Sequence, residues 1–181
     1  MFKKLLIGTL LLSSTFASAS VSAKWDTEIF AEKSKYSFAA FVEASDNKFE
    51  YSCSVLKFNS SNFGKTESII LDLDLKLEED KLNFQESYDV SFVFSNGKLY
   101  KHKLPLSSNR DGKDRFTLFI DSKNDGTDNE IVSNLLKRSY INVEIADKSG
   151  KRVLYRFYLN NSFKSIKETQ TNCNLLYETF K

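Results

Sequence analysis

The sequence predicts a mainly β protein: an antiparallel β-sandwich or partly open barrel of about seven or eight strands, with a short internal helix and a C-terminal helix. Three observations predict it. Apolar residues recur with period two along most of the chain. An Asn96-Gly97 pair sits between two such runs. From Ser162 onward the apolar spacing changes to three and four.

The first strands follow directly. Tyr36, Phe38, Ala40 and Val42 alternate on one run, Asp46-Asn47 supplies a turn, and Phe49, Tyr51, Cys53 and Val55 return. Ile69 to Leu77 alternates most cleanly, with Leu71, Leu73, Leu75 and Leu77 toward a core and Asp72, Asp74 and Lys76 toward water. Leucine is a weak strand former, but at helical spacing these leucines scatter around the cylinder, so the period decides for a strand. Val90, Phe92 and Phe94 then alternate up to Asn96-Gly97, read as a two-residue hairpin turn. Tyr100, His102, Leu104 and Leu106 come back. Pro105, the only proline, falls near the end of that return strand, where a missing N–H is tolerated.

Arg115 to Asp121 reads as a further strand and Ser122 to Asp128 as a polar loop. Asn129 to Arg138 reads as a helix capped by Asp128, with Ile131, Leu135 and Leu136 on its buried side. Tyr140 to Ala146 and Arg152 to Leu159 form a hairpin around Lys148-Ser149-Gly150. In the last helix Phe163, Ile166, Gln170, Cys173 and Tyr177 fall on one face.

The N-terminus sets the destination. Lys3 and Lys4 precede the apolar stretch Leu5 to Leu12, and small residues follow to Ala23. This is the order of a cleavable secretory signal, and the stretch is too short to span a bilayer. Ala17-Ser18-Ala19 and Val21-Ser22-Ala23 are both small-x-small sites. Cleavage after Ala23 is preferred because strand-like patterning begins at Lys24-Trp25. Residues 1–23 are thus expected to be a signal peptide and 24–181 a single β-rich domain, periplasmic or secreted from a bacterium, with no stable membrane insertion. Lys3 and Lys4 are two of the chain's 26 basic residues, so the mature chain carries 24 basic and 24 acidic residues. A neutral, mixed surface argues against nucleic acid, whose phosphates demand clustered cations.

Cys53 and Cys173 are the only cysteines. In an oxidising compartment they are expected to bond, closing a loop of roughly 120 residues worth ~4–5 kcal/mol in the chain-entropy model.

The inventory of catalytic groups is short. His102 is the sole histidine, and no nucleophile-elbow motif partners it. A zinc site lacks ligands, and six unclustered glycines make no phosphate loop. Asp72 and Asp74 lie two apart, but Glu78, Glu79 and Asp80 mark the region as an acidic, solvated one. Asp121, Asp125 and Gly126 match calcium-loop positions, while Lys123 and Val132 break the pattern, so a capped turn is expected there. No catalytic residue, cofactor or metal is expected. Tyr100, Lys101, Lys103, Tyr155, Arg156 and Tyr158, with Arg152 beside them, have the composition of an interaction patch. The sequence therefore points to an exported, non-enzymatic β domain acting through protein–protein contact, as an inhibitor, accessory or envelope factor. A small-ligand or glycan carrier with a pocket between sheets is the alternative, and a carboxylate-dependent envelope hydrolase a third reading.

The cleavage expectation is checked by intact mass and N-terminal sequencing of the exported protein. The first residue should be Lys24. A product retaining Met1 overturns the signal assignment.

Overall fold

The computed structural model describes residues 24–59, 62–75, 86–108, 112–121, 126–146 and 152–181. In chain order the strands are β1 (Asp26–Glu32), β2 (Lys35–Ala44), β3 (Asn47–Asn59), β4 (Asn62–Leu73), β5 (Ser87–Phe94), β6 (Leu99–Ser108) and β7 (Asp114–Ile120). Helix α1 (Thr127–Leu135), strands β8 (Tyr140–Ala146) and β9 (Arg152–Tyr158), and helix α2 (Ser162–Phe180) complete the fold. The strands form one nine-stranded sheet in the order β1-β2-β3-β4-β7-β6-β5-β8-β9, with every neighbour antiparallel. The mainly β, sandwich-like or open-barrel class is therefore the observed one. The ninth strand is β1, which carries no apolar alternation because all of its residues are exposed.

β6 joins the two halves of the sheet. Leu99 to Pro105 pair with β5, and Leu106 to Ser108 pair with β7. The Leu106 N–H bonds the Glu86 carbonyl, so even-numbered positions turn toward β5. Pro105 faces the other way, before pairing with β7 begins, and its missing N–H costs no ladder bond.

The sheet curls so that its two halves share one core. Phe38, Ala40 and Val42 of β2 lie beside Cys53, Tyr51 and Phe49 of β3. Ile69 and Leu71 of β4 continue the layer to Leu118 and Phe116 of β7. From the other half come Val90, Phe92, Phe94, Val143, Ile145 and Phe157, all buried. Phe49 meets Phe157 at 5.5 Å between ring centroids, and Tyr88 meets Phe116 edge-on at 6.0 Å. Such pairs contribute ~0.5–1.5 kcal/mol each beyond their buried area. Trp25 closes one seam: its ring stands edge-on to Phe49 at 6.3 Å and its indole N–H donates to the Tyr158 carbonyl at 3.1 Å.

α2 covers the open end over β2, β3 and β4. Its buried face is Ser162, Ser165, Ile166, Thr169 and Cys173, with Leu176, Tyr177 and Phe180 packed at the core margin. Phe163, expected on this face, is 59% exposed instead. The Ser162 hydroxyl donates to the Leu135 carbonyl at 2.6 Å, which turns the first turn by its polar side and directs Phe163 outward. Cys53 and Cys173 are bonded, with sulfurs 2.06 Å and Cα atoms 6.0 Å apart, so the helix is tied to β3 across 120 residues of sequence.

Three local expectations shift. The first hairpin turns at Ser45-Asp46, with Ser45 at φ 56°, one residue before the expected pair. Asn96-Gly97 is not a two-residue turn: the Phe94 N–H bonds the Lys98 carbonyl and the Gly97 N–H bonds Phe94, leaving a three-residue loop. Gly97 alone takes positive φ there, at 80°, as the closing residue of such loops does. Helix α1 starts two residues earlier than expected, after Gly126 at φ 84°, and Asp128 is inside it rather than capping it. Its carboxylate accepts the Asp121 N–H at 3.0 Å, so it fixes the incoming strand end. Ile131 and Leu135 are buried as expected, and Leu136 packs at the margin. Residues 1–23, Lys76, Leu77, the acidic run Glu78 to Asp80, Lys123, Asp125 and the Lys148-Ser149-Gly150 turn lie outside the described residues.

Removing the disulfide tests how much α2 depends on it. A Cys53→Ser/Cys173→Ser variant should lose ~2–5 kcal/mol in urea unfolding. A change below experimental error would mean that the packing of α2 alone suffices.

Candidate functional site

His102, Asp72 and Asp74 lie at separate places on the sheet. His102 faces inward from β6 and meets Phe92 edge-on at 5.9 Å. Burial lowers its pKa, opposed by the charge of Asp128. Asp72, expected to face water, is only 5% exposed. It sits directly opposite Arg115 on β7, whose Nε and Nη2 donate to its two carboxylate oxygens at 2.6 and 2.7 Å. The strand period gave Asp72 the outer face correctly; the cross-strand arginine that covers it is invisible without the register. Asp74 is exposed just beyond β4, where its N–H donates to Asn47 Oδ1 at 2.8 Å. Among the described residues, no group of three or more His, Cys, Asp or Glu is placed to hold a metal ion. Nor is any described helix long and apolar enough to cross a membrane.

The register divides the six patch residues between two faces. Tyr100 and Tyr155 point inward. The Tyr100 hydroxyl donates to Glu130 at 2.9 Å and accepts from Asn134 at 3.0 Å, which ties β6 to α1. Burial and then the Glu130 carboxylate raise its pKa. The Tyr155 hydroxyl donates to the Asp74 carbonyl at 3.0 Å. Burial first, then the charges of Asp74 and Asp114, push its pKa up to about 12. Lys101, Lys103, Arg156 and Tyr158 share the outer face of the β6-β5-β8-β9 half.

On that face the ladder brings together residues far apart in sequence. One row is Leu99, Val93, Asn142 and Arg156; the next is Lys101, Ser91, Glu144 and Leu154; a third is Lys103, Asp89, Ala146 and Arg152. Leu99 is 49% and Leu154 61% exposed. Arg156 lies 4.5 Å over the Tyr140 ring and donates to Asn142 Oδ1 at 2.8 Å, while Tyr140 stands beside Tyr158. Arg152 pairs with Glu144 at 2.7 Å. The face thus combines two exposed leucines and two tyrosines with four cations against two carboxylates. Leu99, Leu154 and Tyr140 were missed from sequence; their signal lay in the odd and even positions opposite the core residues, readable only once the strands were paired.

The outer face of the other half is different. A groove of about 500 Å³ there is lined by Glu28, Phe30, Ser37, Lys48, Glu50, Asp72 and Arg115, among others. Glu43, Lys48, Asp72 and Arg115 form a single row of alternating charge across β2, β3, β4 and β7. Lys48 pairs with Glu50 at 3.0 Å and lies 4.1 Å over the Phe41 ring. Asp72 and Arg115 pair with each other, as Lys48 does with Glu50. A second groove, about 480 Å³, runs between α1 and α2 past Val132, Leu136, Phe163 and Gln170. Beneath it the Tyr51 hydroxyl donates to Glu67 at 2.5 Å and accepts from Gln170 at 3.1 Å. Burial, then Glu67, raises the Tyr51 pKa well above the ordinary range.

No protein-family model matches this chain, and neither a curated protein nor a solved structure does.

Tyr155 generates a pH prediction. A phenol whose pKa is raised on folding stabilises the fold fully below its unfolded value of 10.0, and that contribution is lost as pH rises through the folded value of about 12. Stability measured by urea unfolding should therefore fall between pH 10 and 12, with a shallower fall in Tyr155→Phe. Equal slopes in the two proteins would show that Tyr155 ionises as freely when folded as when unfolded.

Proposed function

We propose that this chain is an exported, non-enzymatic periplasmic or secreted protein that binds another envelope or extracellular protein through the outer face of β6, β5, β8 and β9. The observation that carries the reading is the juxtaposition on one sheet face of Leu99, Leu154, Tyr140 and Tyr158 with Lys101, Lys103, Arg152 and Arg156. Exposed leucines and half-buried tyrosines ringed by cations supply apolar contact area with an electrostatic bias. The partner chemistry follows: a protein surface with an apolar centre and carboxylates at its margin. The signal-like N-terminus and the Cys53–Cys173 bond support an oxidising destination.

A photo-crosslinking residue in place of Leu99 tests this in intact cells. It should yield an adduct of defined mass that is lost in the Lys101→Glu/Lys103→Glu background, while the same probe at Phe119, on the other half's outer face, yields none. No adduct at Leu99, or one indifferent to the charge reversal, refutes the reading.

A further inference from the structure

The two edges of the sheet are chemically complementary. Among the described residues β1, Asp26-Thr27-Glu28-Ile29-Phe30-Ala31-Glu32, has β2 as its one strand neighbour, and Ile29 is 67% and Phe30 49% exposed. β9, at the opposite end of the sheet, has β8 as its one strand neighbour among the described residues and exposes Arg152, Leu154 and Arg156. An edge strand with apolar side chains and a free row of backbone groups is a template for another strand.

The backbone fixes how two such edges can meet. Lys33 and Ser34 form a two-residue turn with Glu32 opposite Lys35. The pair beside such a turn exchanges hydrogen bonds, so Glu32, Phe30 and Glu28 turn their N–H and C=O groups toward β2. Thr27, Ile29 and Ala31 present theirs to the free edge. On β9 the Leu159 N–H bonds the Ser139 carbonyl, so odd-numbered positions turn toward β8. Arg152, Leu154, Arg156 and Tyr158 present theirs outward, and the Tyr158 carbonyl takes the Trp25 indole proton.

On β1 the outward-bonding residues have side chains on the core face; on β9 they have side chains on the outer face. Antiparallel pairing sets outward-bonding residues directly opposite each other, and here it would join the core face of one sheet to the outer face of the next. Parallel pairing sets an outward-bonding residue opposite an inward-bonding one, which keeps both faces continuous. With Ile29 opposite Val153, Glu28 falls opposite Arg152, Phe30 opposite Leu154 and Glu32 opposite Arg156. Glu28, 3.8 Å from Lys48 in its own chain, and Glu32 then each face a guanidinium as well, and the exposed Phe30 and Leu154 meet each other. Trp25 at the Tyr158 carbonyl holds the start of β1 by the end of β9 in the same chain, so Glu28 cannot reach Arg152 there. We infer that β1 of one copy adds in parallel to β9 of a second copy, head to tail. The contact is heterologous, leaving one free β1 and one free β9 at the ends of each open assembly.

Sedimentation of the mature chain over a concentration series tests the inference. The wild type should shift from monomer to larger species as concentration rises. Glu28→Lys/Glu32→Lys and Arg152→Glu/Arg156→Glu should each weaken assembly ~10-fold or more, because like charges then face each other across the strand pair. An equimolar mixture of the two variants should assemble again, since it restores opposite charges at every contact. Under oxidation, Phe30→Cys mixed with Leu154→Cys should give a disulfide-linked dimer that neither gives alone. A monomer at every concentration, or oligomers indifferent to both charge reversals, overturns the inference. The Leu99 crosslink reads a different strand, so failure of one test leaves the other standing.

Discussion

Parity governs this architecture. In a sheet of nine strands whose neighbours are all antiparallel, the first and last strands run in the same direction. The antiparallel ladder that joins every other pair therefore cannot join β9 to β1, and the curled sheet stays open. The remaining structure makes up for that seam. Trp25 spans it at one place with one indole hydrogen bond and one ring contact, and α2 lies over the open end. The core between them is continuous because β6 bends from β5 to β7 instead of ending, so both halves of the sheet face the same interior.

Closing an opening with a helix has its own demand. α2 is an amphipathic helix whose buried side includes Ser162, Ser165 and Thr169 as well as Ile166 and Cys173. Those hydroxyls supply less apolar area than leucines in the same places would. The covalent bond to β3 and the polar contacts around it, Gln170 to Tyr51 and Lys65 to Asn174, hold the helix where hydrophobic burial contributes modestly.

Much of the sheet was legible because a curled antiparallel sheet with one buried face writes a period of two. Val90, Phe92 and Phe94, or Phe49, Tyr51 and Cys53, needed nothing beyond that. β1 was not legible in this way, since an exposed edge strand has no face to bury and hence no alternation. The Asn96-Gly97 loop and the Phe163 position were set by backbone bonds and by a hydroxyl contact at Leu135, neither of which leaves a pattern in composition. Asp72 exposed the limit most clearly: the period assigned its face, but its burial depends on an arginine 43 residues away that register places opposite. The candidate patch failed to be one surface for the same reason. Adjacent residues such as Tyr100 and Lys101 belong to opposite faces, and the residues that do share a face come from four strands.

The bond between Cys53 and Cys173 also partitions the chain mechanically. It encloses β3 from Cys53 onward and everything from β4 to Cys173 of α2 in a covalent ring. β1, β2 and β3 up to Ser52 lie outside it. Tension applied between the two ends bypasses the ring and falls on that N-terminal hairpin and on the last turns of α2. The β1–β2 pair is thus the segment that can peel away while the ring holds the rest of the sheet in loop-restricted contact, and it is also the pair that carries the sheet's acidic edge.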